Sequence, residues 1–220
     1  MVQAYVFDVY GTLFDVHSVR TDVERFYPGK GKHLSTIWRE KQIHYSFLRQ
    51  IMGRYHSFYD VTRDALRFAA NAVEVPLTPK LEQQLMEAYL HLPPFEESAP
   101  VLTALKNKGK QTIVFSNGSV NMLRPLLQNS GLDTFIDVTL SVDERKQYKP
   151  SPAAYNLILE HTDLKREQIL FASSNGWDIS GAESFGFQTA WINRNGQPQE
   201  ELQLSPDHEY EDLSFLPEIP

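Results

Sequence analysis

The feature of this sequence that most restricts its fold is the regular exchange of helical and strand-like periods after residue 95. A helical stretch from Ala99 to Asn107 stops near Gly109, a strand-like run covers Gln111 to Phe115, and a helix from about Ser119 stops at Gly131. Ser151-Pro152 places a capping residue before a proline in the first helical position, which opens a helix to about Glu160. Ile169 to Ala172 and Thr189 to Ile192 read as further core strands, with a helix ending before Gly186 between them. At the other end of the chain, Val2 to Val9 is rich in β-branched and aromatic residues and breaks at Gly11-Thr12, so it reads as a buried strand with Asp8 at its carboxyl end. Alternation of this kind predicts a parallel sheet with helices on both faces.

Between Asp15 and Phe95 helical periods continue and convincing strands do not occur. Leu34, Trp38, Tyr45, Leu48 and Met52 fall on one helical stripe, and Ile37, His44, Phe47 and Ile51 make a second. A helix apolar on two sides is buried on two sides, against its own domain and either the core or another subunit. Thr78-Pro79 starts another helix, and Pro93-Pro94 closes the segment. The expected organisation is an α/β core from residues 1–14 and 96–220, with residues 15–95 inserted as an all-helical cap over the crevice at the strand ends.

Composition narrows the function classes. At 220 residues the chain suits one core carrying an insertion. The absence of cysteine excludes disulfides, thiolate metal sites and a cysteine nucleophile, and with no signal-like segment before the first strand it points to a cytoplasmic address. No apolar run is long enough for a bilayer, and a formal charge of -7 argues against nucleic acid or an anionic membrane as partner. An anionic substrate would need positive potential built locally. The histidines show no ligand spacing, so no metal is assigned and no cofactor is expected.

Four segments at the expected crevice carry polar residues: Asp8 to Thr12, Ser116-Asn117-Gly118, Lys149-Pro150, and Ser173 to Asp178. Each alone has a plainer reading as a turn, a cap or a surface charge. Their joint placement at functional ends favours a site.

These residues also carry a resemblance. Phe7-Asp8-Val9-Tyr10-Gly11-Thr12-Leu13 resembles the first motif of the haloacid dehalogenase superfamily, whose aspartate nucleophile matches Asp8, and Ser116, Lys149 and Ser173 to Asp178 resemble its second, third and fourth motifs in order. The resemblance spans essentially the whole chain and implies a Rossmann-like parallel-sheet core with a helical cap. Phosphatases of that superfamily typically carry a second aspartate where this chain has Tyr10, and an acidic magnesium ligand where it has Ser173. Both departures match the L-2-haloacid dehalogenase subgroup, as do Gln147-Tyr148-Lys149-Pro150 with Tyr155, the Ser173 to Asp178 run including Trp177, and Trp38-Arg39-Glu40-Lys41-Gln42. The match implies that Arg39 stabilises a leaving halide. Glu40 stands where the subgroup usually has glutamine, so a carboxylate either pairs with Arg39 or faces water.

The expected reaction converts a small (S)-2-haloacid to an (R)-2-hydroxyacid through an ester on Asp8, without metal. Ser116, Asn117, Lys149 and the amides near Val9 and Tyr10 would hold the substrate carboxylate, while Tyr10, Ile43, Phe58 and Trp177 would face the α-substituent. Asn175, Asp178 and Lys149 would position or activate water, Thr12 and Ser173 would hold the loops, and Tyr155 belongs to the third motif. A phosphohydrolase with an unusual magnesium site and a noncatalytic small-anion binder are the alternatives. The double apolar stripe, and the subgroup's habit, lead to the expectation of a homodimer.

Overall fold

The computed structural model describes residues 1–220. Its six strands are β1 (Ala4–Phe7), β2 (Gln111–Ser116), β3 (Val138–Ser141), β4 (Ile169–Ser173), β5 (Gln188–Ile192) and β6 (His208–Tyr210). They form one sheet in the order β3-β2-β1-β4-β5-β6, and every neighbouring pair is parallel. The four central strands are almost wholly buried on both faces, which is why they appear in the sequence as unbroken apolar runs. The strands β3 and β6 were not foreseen. Both are short edge strands with exposed positions, so neither shows a continuous apolar run.

Eight helices accompany the sheet: α1 (Val19–Phe26), α2 (Gly31–Ile51), α3 (Phe58–Ala72), α4 (Pro79–Ala88), α5 (Ser98–Asn107), α6 (Val120–Ser130), α7 (Pro152–Glu160) and α8 (Gly176–Phe185). Helices α1 to α4 occupy the interval between β1 and α5 and pack on one another, chiefly α2 on α3 and α1 on α2. Trp38 ties α2 to α3 through its ring nitrogen, which donates to Thr62 O at 2.8 Å. The chain leaves and re-enters the sheet layer through two adjacent connections: Asp15 N donates to Pro93 O at 2.9 Å and Phe95 N to Leu13 O at 3.0 Å. No helix is long and apolar enough to cross a membrane.

The chain runs outward from β1 in two directions, to β2 and β3 on one side and to β4, β5 and β6 on the other. This reversal opens a crevice at the carboxyl end of β1, where ligands of such sheets gather. Register brings the right residues there. Phe7 pairs with Val114 and with Ala172, so Asp8 lies level with the ends of β2 and β4, where Ser116 and Ser173 stand.

The sequence-derived helix over α2 is correct, but its apolar residues fare differently along its length. Leu34 and Trp38 are buried, while Ile51 and Met52, at its end, are 82% and 60% exposed. Gly181 allows α8 to approach the segment before α7: a Cβ there would overlap the Tyr155 hydroxyl and Pro150 Cβ. Gly181→Ala is therefore expected to lower stability by about 1–3 kcal/mol through overpacking, as measured by urea unfolding.

Candidate active site

Asp8 is the centre of a dense polar cluster. Lys149 Nζ donates to Asp8 Oδ1 at 2.9 Å and to Asp178 Oδ2 at 2.6 Å, and all three side chains are buried. The other Asp8 oxygen accepts from Asn175 Nδ2 at 2.9 Å and from the Thr12 hydroxyl at 3.1 Å. A carboxylate has about four lone-pair positions, so three bonds leave Asp8 one direction open.

The supporting contacts follow from local structure. Gly11 adopts φ +94°, a left-handed conformation that glycine tolerates, and it turns the chain so that Thr12 comes back beside Asp8. Thr12 Oγ1 also accepts from Ser174 N at 2.8 Å, which ties the loop after β1 to the loop after β4. Asn175 occupies the N-cap position of α8, and its amide donates to Ser173 Oγ at 3.1 Å. Asp178 lies in the first turn of α8, held by Tyr155 OH at 2.7 Å and Ser173 Oγ at 3.2 Å. Lys149 comes from the connection between β3 and α7, and Asn117 Oδ1 accepts its backbone amide at 2.9 Å. Its ammonium also lies over the rings of Phe115 and Phe171, at 5.2 and 5.3 Å.

Burial governs the electrostatics. It opposes the charge on Lys149, but Asp178 and Asp8 outweigh it and raise the lysine's pKa. Burial pushes Asp178 up to about 6, with Lys149 pulling it down and Asp8 pushing it up. The Tyr155 phenol is held well above its usual range by burial and then by the Asp178 charge, so it remains a donor. Burial likewise raises Tyr10.

Arg39 reaches this cluster from α2. Its Nη2 donates to Tyr10 O at 3.3 Å and to Asn175 Oδ1 at 3.5 Å, while Nη1 donates to Gln42 Oε1 at 2.7 Å. Glu40 is exposed and forms no ion pair, so the carboxylate beside Arg39 in sequence faces water rather than Arg39.

Every residue expected to touch substrate, except Val9, borders one small cavity beside Asp8. The Val9 side chain is packed in the core. The amides of Val9, Tyr10 and Asn117 nevertheless donate to no group of the chain, and Ser116 Oγ accepts from Gly118 N at 2.9 Å with its own proton uncommitted. Thr12, Tyr155, Ser173 and Asp178 stand behind the cavity wall. The cavity itself is about 20 Å³, room for about one water molecule. Tyr10, Arg39, Ile43 and Asn175 also border a neighbouring cleft of about 500 Å³, so they form the partition between the two.

Sequence reasoning missed Ser46, which lines the cavity, and Gln42, which holds Arg39. The signal was present: residues 39, 42, 43 and 46 share one face of a helix. No three histidine or acidic side chains gather to hold a metal. Magnesium asks for several hard oxygen ligands, and Asp178, the one carboxylate in the segment after β4, already takes bonds from Lys149, Tyr155 and Ser173, so these residues do not fit that ion.

Comparison with known proteins gives this geometry a context. The haloacid dehalogenase-like hydrolase family matches residues 2–186. The haloacetate dehalogenase H-2 of Moraxella sp. (strain B) is 44% identical over 94% of this chain and 92% of its own length. The (S)-2-haloacid dehalogenase of Pseudomonas sp. (strain YL) is 41% identical over 99% and 94%. The solved structure of the L-2-haloacid dehalogenase from Xanthobacter autotrophicus with chloropropionic acid covalently bound superposes with a TM-score of 0.95 at 35% identity, covering 99% of this chain and 98% of that one. With the family match extending from β1 through α8 and such likeness along nearly the whole length, this chain belongs to the haloacid dehalogenase-like hydrolases.

Proposed function

We propose that this protein hydrolyses small (S)-2-haloacids to (R)-2-hydroxyacids and halide, with Asp8 as covalent nucleophile and no metal in the reaction. The observation that carries this reading is the pair of cations around Asp8. Lys149 bonds Asp8 directly, and Arg39, from the helical insertion, borders the same cavity as Asp8. The relatives named as haloacid dehalogenases support the same reaction class.

In the first half-reaction the free Asp8 oxygen attacks the α-carbon opposite the carbon-halogen bond. A carbon-oxygen bond forms, and halide leaves with the bonding pair toward Arg39. Attack from the opposite side inverts the carbon. The substrate carboxylate takes hydrogen bonds from Ser116 and from the unpaired amides of Val9, Tyr10 and Asn117, with Lys149 adding charge. Ile43, Phe58, Trp177 and the Tyr10 ring surround the α-substituent.

In the second half, water held by Asn175 attacks the Asp8 carbonyl carbon. The acyl-oxygen bond breaks, the hydroxyacid oxygen takes one water proton, and the second passes toward the Lys149–Asp178 pair. Thr12, Ser173 and Tyr155 hold Asp8 and Asp178 in place. Residues 15–95 act as the cap, which must move to admit substrate and close to exclude water.

Halide release from L- and D-2-chloropropionate in chelator, beside phosphate release from a phosphomonoester with magnesium, tests the assignment. Chloride from the L form alone is expected, reduced by about three orders of magnitude or more in Asp8→Asn. Phosphate without chloride would overturn it in favour of a phosphohydrolase, and tight haloacid binding without turnover would favour an anion binder.

Asp178 also sets a pH dependence. In the free enzyme its carboxyl gains a proton as pH falls through about 6; in the ester the Asp8 charge that helps to raise it is gone, so ester hydrolysis should slow below that range. Rapid-quench measurement of ester decay against pH checks this; a flat profile would remove Asp178 from the proton path. The sign for stability is opposite. The folded state holds this proton more tightly than the unfolded chain, so the contribution of Asp178 is lost as pH rises toward and through about 6.

The assembly we propose is a cytoplasmic homodimer formed through α2. Leu48, Ile51 and Met52 are exposed at the end of that helix, and Phe68 of α3, also exposed, lies beside Tyr45. Ile51→Glu should convert a dimer to a monomer in light scattering; a wild-type monomer at high concentration would overturn the assembly.

A further inference from the structure

The contact that orients Arg39 comes from a side chain outside the cavity lining. Gln42, one turn further along α2, is fully buried, and its Oε1 accepts from Arg39 Nη1 at 2.7 Å. By comparison the Arg39 contacts to Tyr10 O and Asn175 Oδ1, at 3.3 and 3.5 Å, are long. The guanidinium is therefore anchored to its own helix through one nitrogen. The second nitrogen is held loosely at the edge of the catalytic cavity, where an arriving anion can replace its present acceptors.

A chain of hydrogen bonds determines which end of the Gln42 amide faces Arg39. Thr62 Oγ1 donates its only proton to Phe58 O at 2.6 Å, so toward Gln42 it can only accept. It takes the proton of Gln42 Nε2 at 2.7 Å, and the amide oxygen must then point the other way, to Arg39. Thr62 is itself fully buried, so no water competes for these bonds. An amide also holds the arginine without cancelling its charge. A carboxylate in the same place would form an ion pair and weaken the pull on a departing anion.

We infer that Gln42, oriented by Thr62, is a positioning residue for halide departure, holding Arg39 Nη1 so that Nη2 remains available to the leaving group. The inference rests on the dehalogenase reading and deepens it. A tie between α2 and α3 would need only the Gln42–Thr62 bond. The role assigned here uses the other end of the amide and has a chemical signature, because a poorer leaving group depends more on stabilisation of its developing charge.

The test is single-turnover halide release, with enzyme in excess, from L-2-chloropropionate and L-2-bromopropionate. Wild type, Gln42→Met and Thr62→Val are compared, and thermal unfolding confirms the folded fraction of each. Misplacing Arg39 by a fraction of an ångström should slow chloride release in Gln42→Met by about ten- to a hundredfold and bromide release by less, so the bromide-to-chloride rate ratio rises. Thr62→Val, which touches neither Arg39 nor the cavity, should move the ratio the same way by a smaller factor. The decay of the Asp8 ester should keep its wild-type rate in both.

Equal slowing of chloride and bromide in folded Gln42→Met, or slowing of ester decay alone, would overturn the inference while leaving the dehalogenase reading intact. If wild type itself released no halide from either substrate, both would fall together.

Discussion

The contact on which the rest of this structure depends is the buried ammonium of Lys149 between Asp8 and Asp178. Three charged side chains, each 5% exposed or less, would be untenable singly, because moving an ion out of water costs several kcal/mol after relaxation. Together they compensate. Lys149 contacts both carboxylates, Asp178 takes further bonds from Tyr155 and Ser173, and Asp8 takes them from Thr12 and Asn175. Removing one partner from such an arrangement costs about 3–5 kcal/mol, since a buried charge is left uncompensated. The cluster therefore holds together the loops after β1 and β4 and the connection that leads from β3 to α7.

Under the proposed mechanism the chain's own cations serve where other chemistries use a metal. A divalent ion would add charge at the carboxyl end of β1, whereas a lysine supplies a single charge with directional protons. The site then needs its second cation from elsewhere, and α2 provides it. Two backbone connections, paired at Leu13–Phe95 and Asp15–Pro93, carry α1 to α4 away from β1 and back, so Arg39 and Asp8 belong to different layers joined at one seam. Under the proposed mechanism, motion at that seam would change the distance between Asp8 and the guanidinium that receives the halide.

How much of this was legible in the sequence depended on burial. The central strands could be read because both faces are covered, while β3 and β6 were hidden by their position at the edges. Asp8, Ser116 and Ser173 could be placed because they end strands whose lengths the apolar runs set. Lys149 lies beyond β3, which the sequence does not reveal, so its place beside Asp8 came from family resemblance. Arg39 alone reads as a surface charge on a helix. Gln42 gave no signal beyond its place on the Arg39 face of α2, since a buried amide looks like an exposed one until its partners on α3 are known. Glu40 illustrates the reverse: adjacency in sequence suggested a partner for Arg39, but successive residues on a helix point about 100° apart, and the partner is three residues on.

Charge conservation links these pieces. The chain carries a formal charge of -7, yet around the cavity Asp8 and Asp178 are balanced by Lys149 and Arg39, so an anionic substrate meets a nearly neutral site lined with free amides. Under the proposed mechanism, forming the ester removes the negative charge of Asp8 from beside Lys149, and the halide carries it to Arg39. Substitution thus moves one charge between two fixed cations, and hydrolysis later restores it to Asp8. Neither cation has to be created or recruited during the reaction, which is the condition for electrostatic preorganisation. The demands on the two differ. Lys149 serves a carboxylate that the chain itself supplies and is held by two buried acids; Arg39 serves an anion that arrives only in the transition state. An uncharged amide anchor suits the second task, because it fixes the guanidinium without consuming the charge that the halide will need.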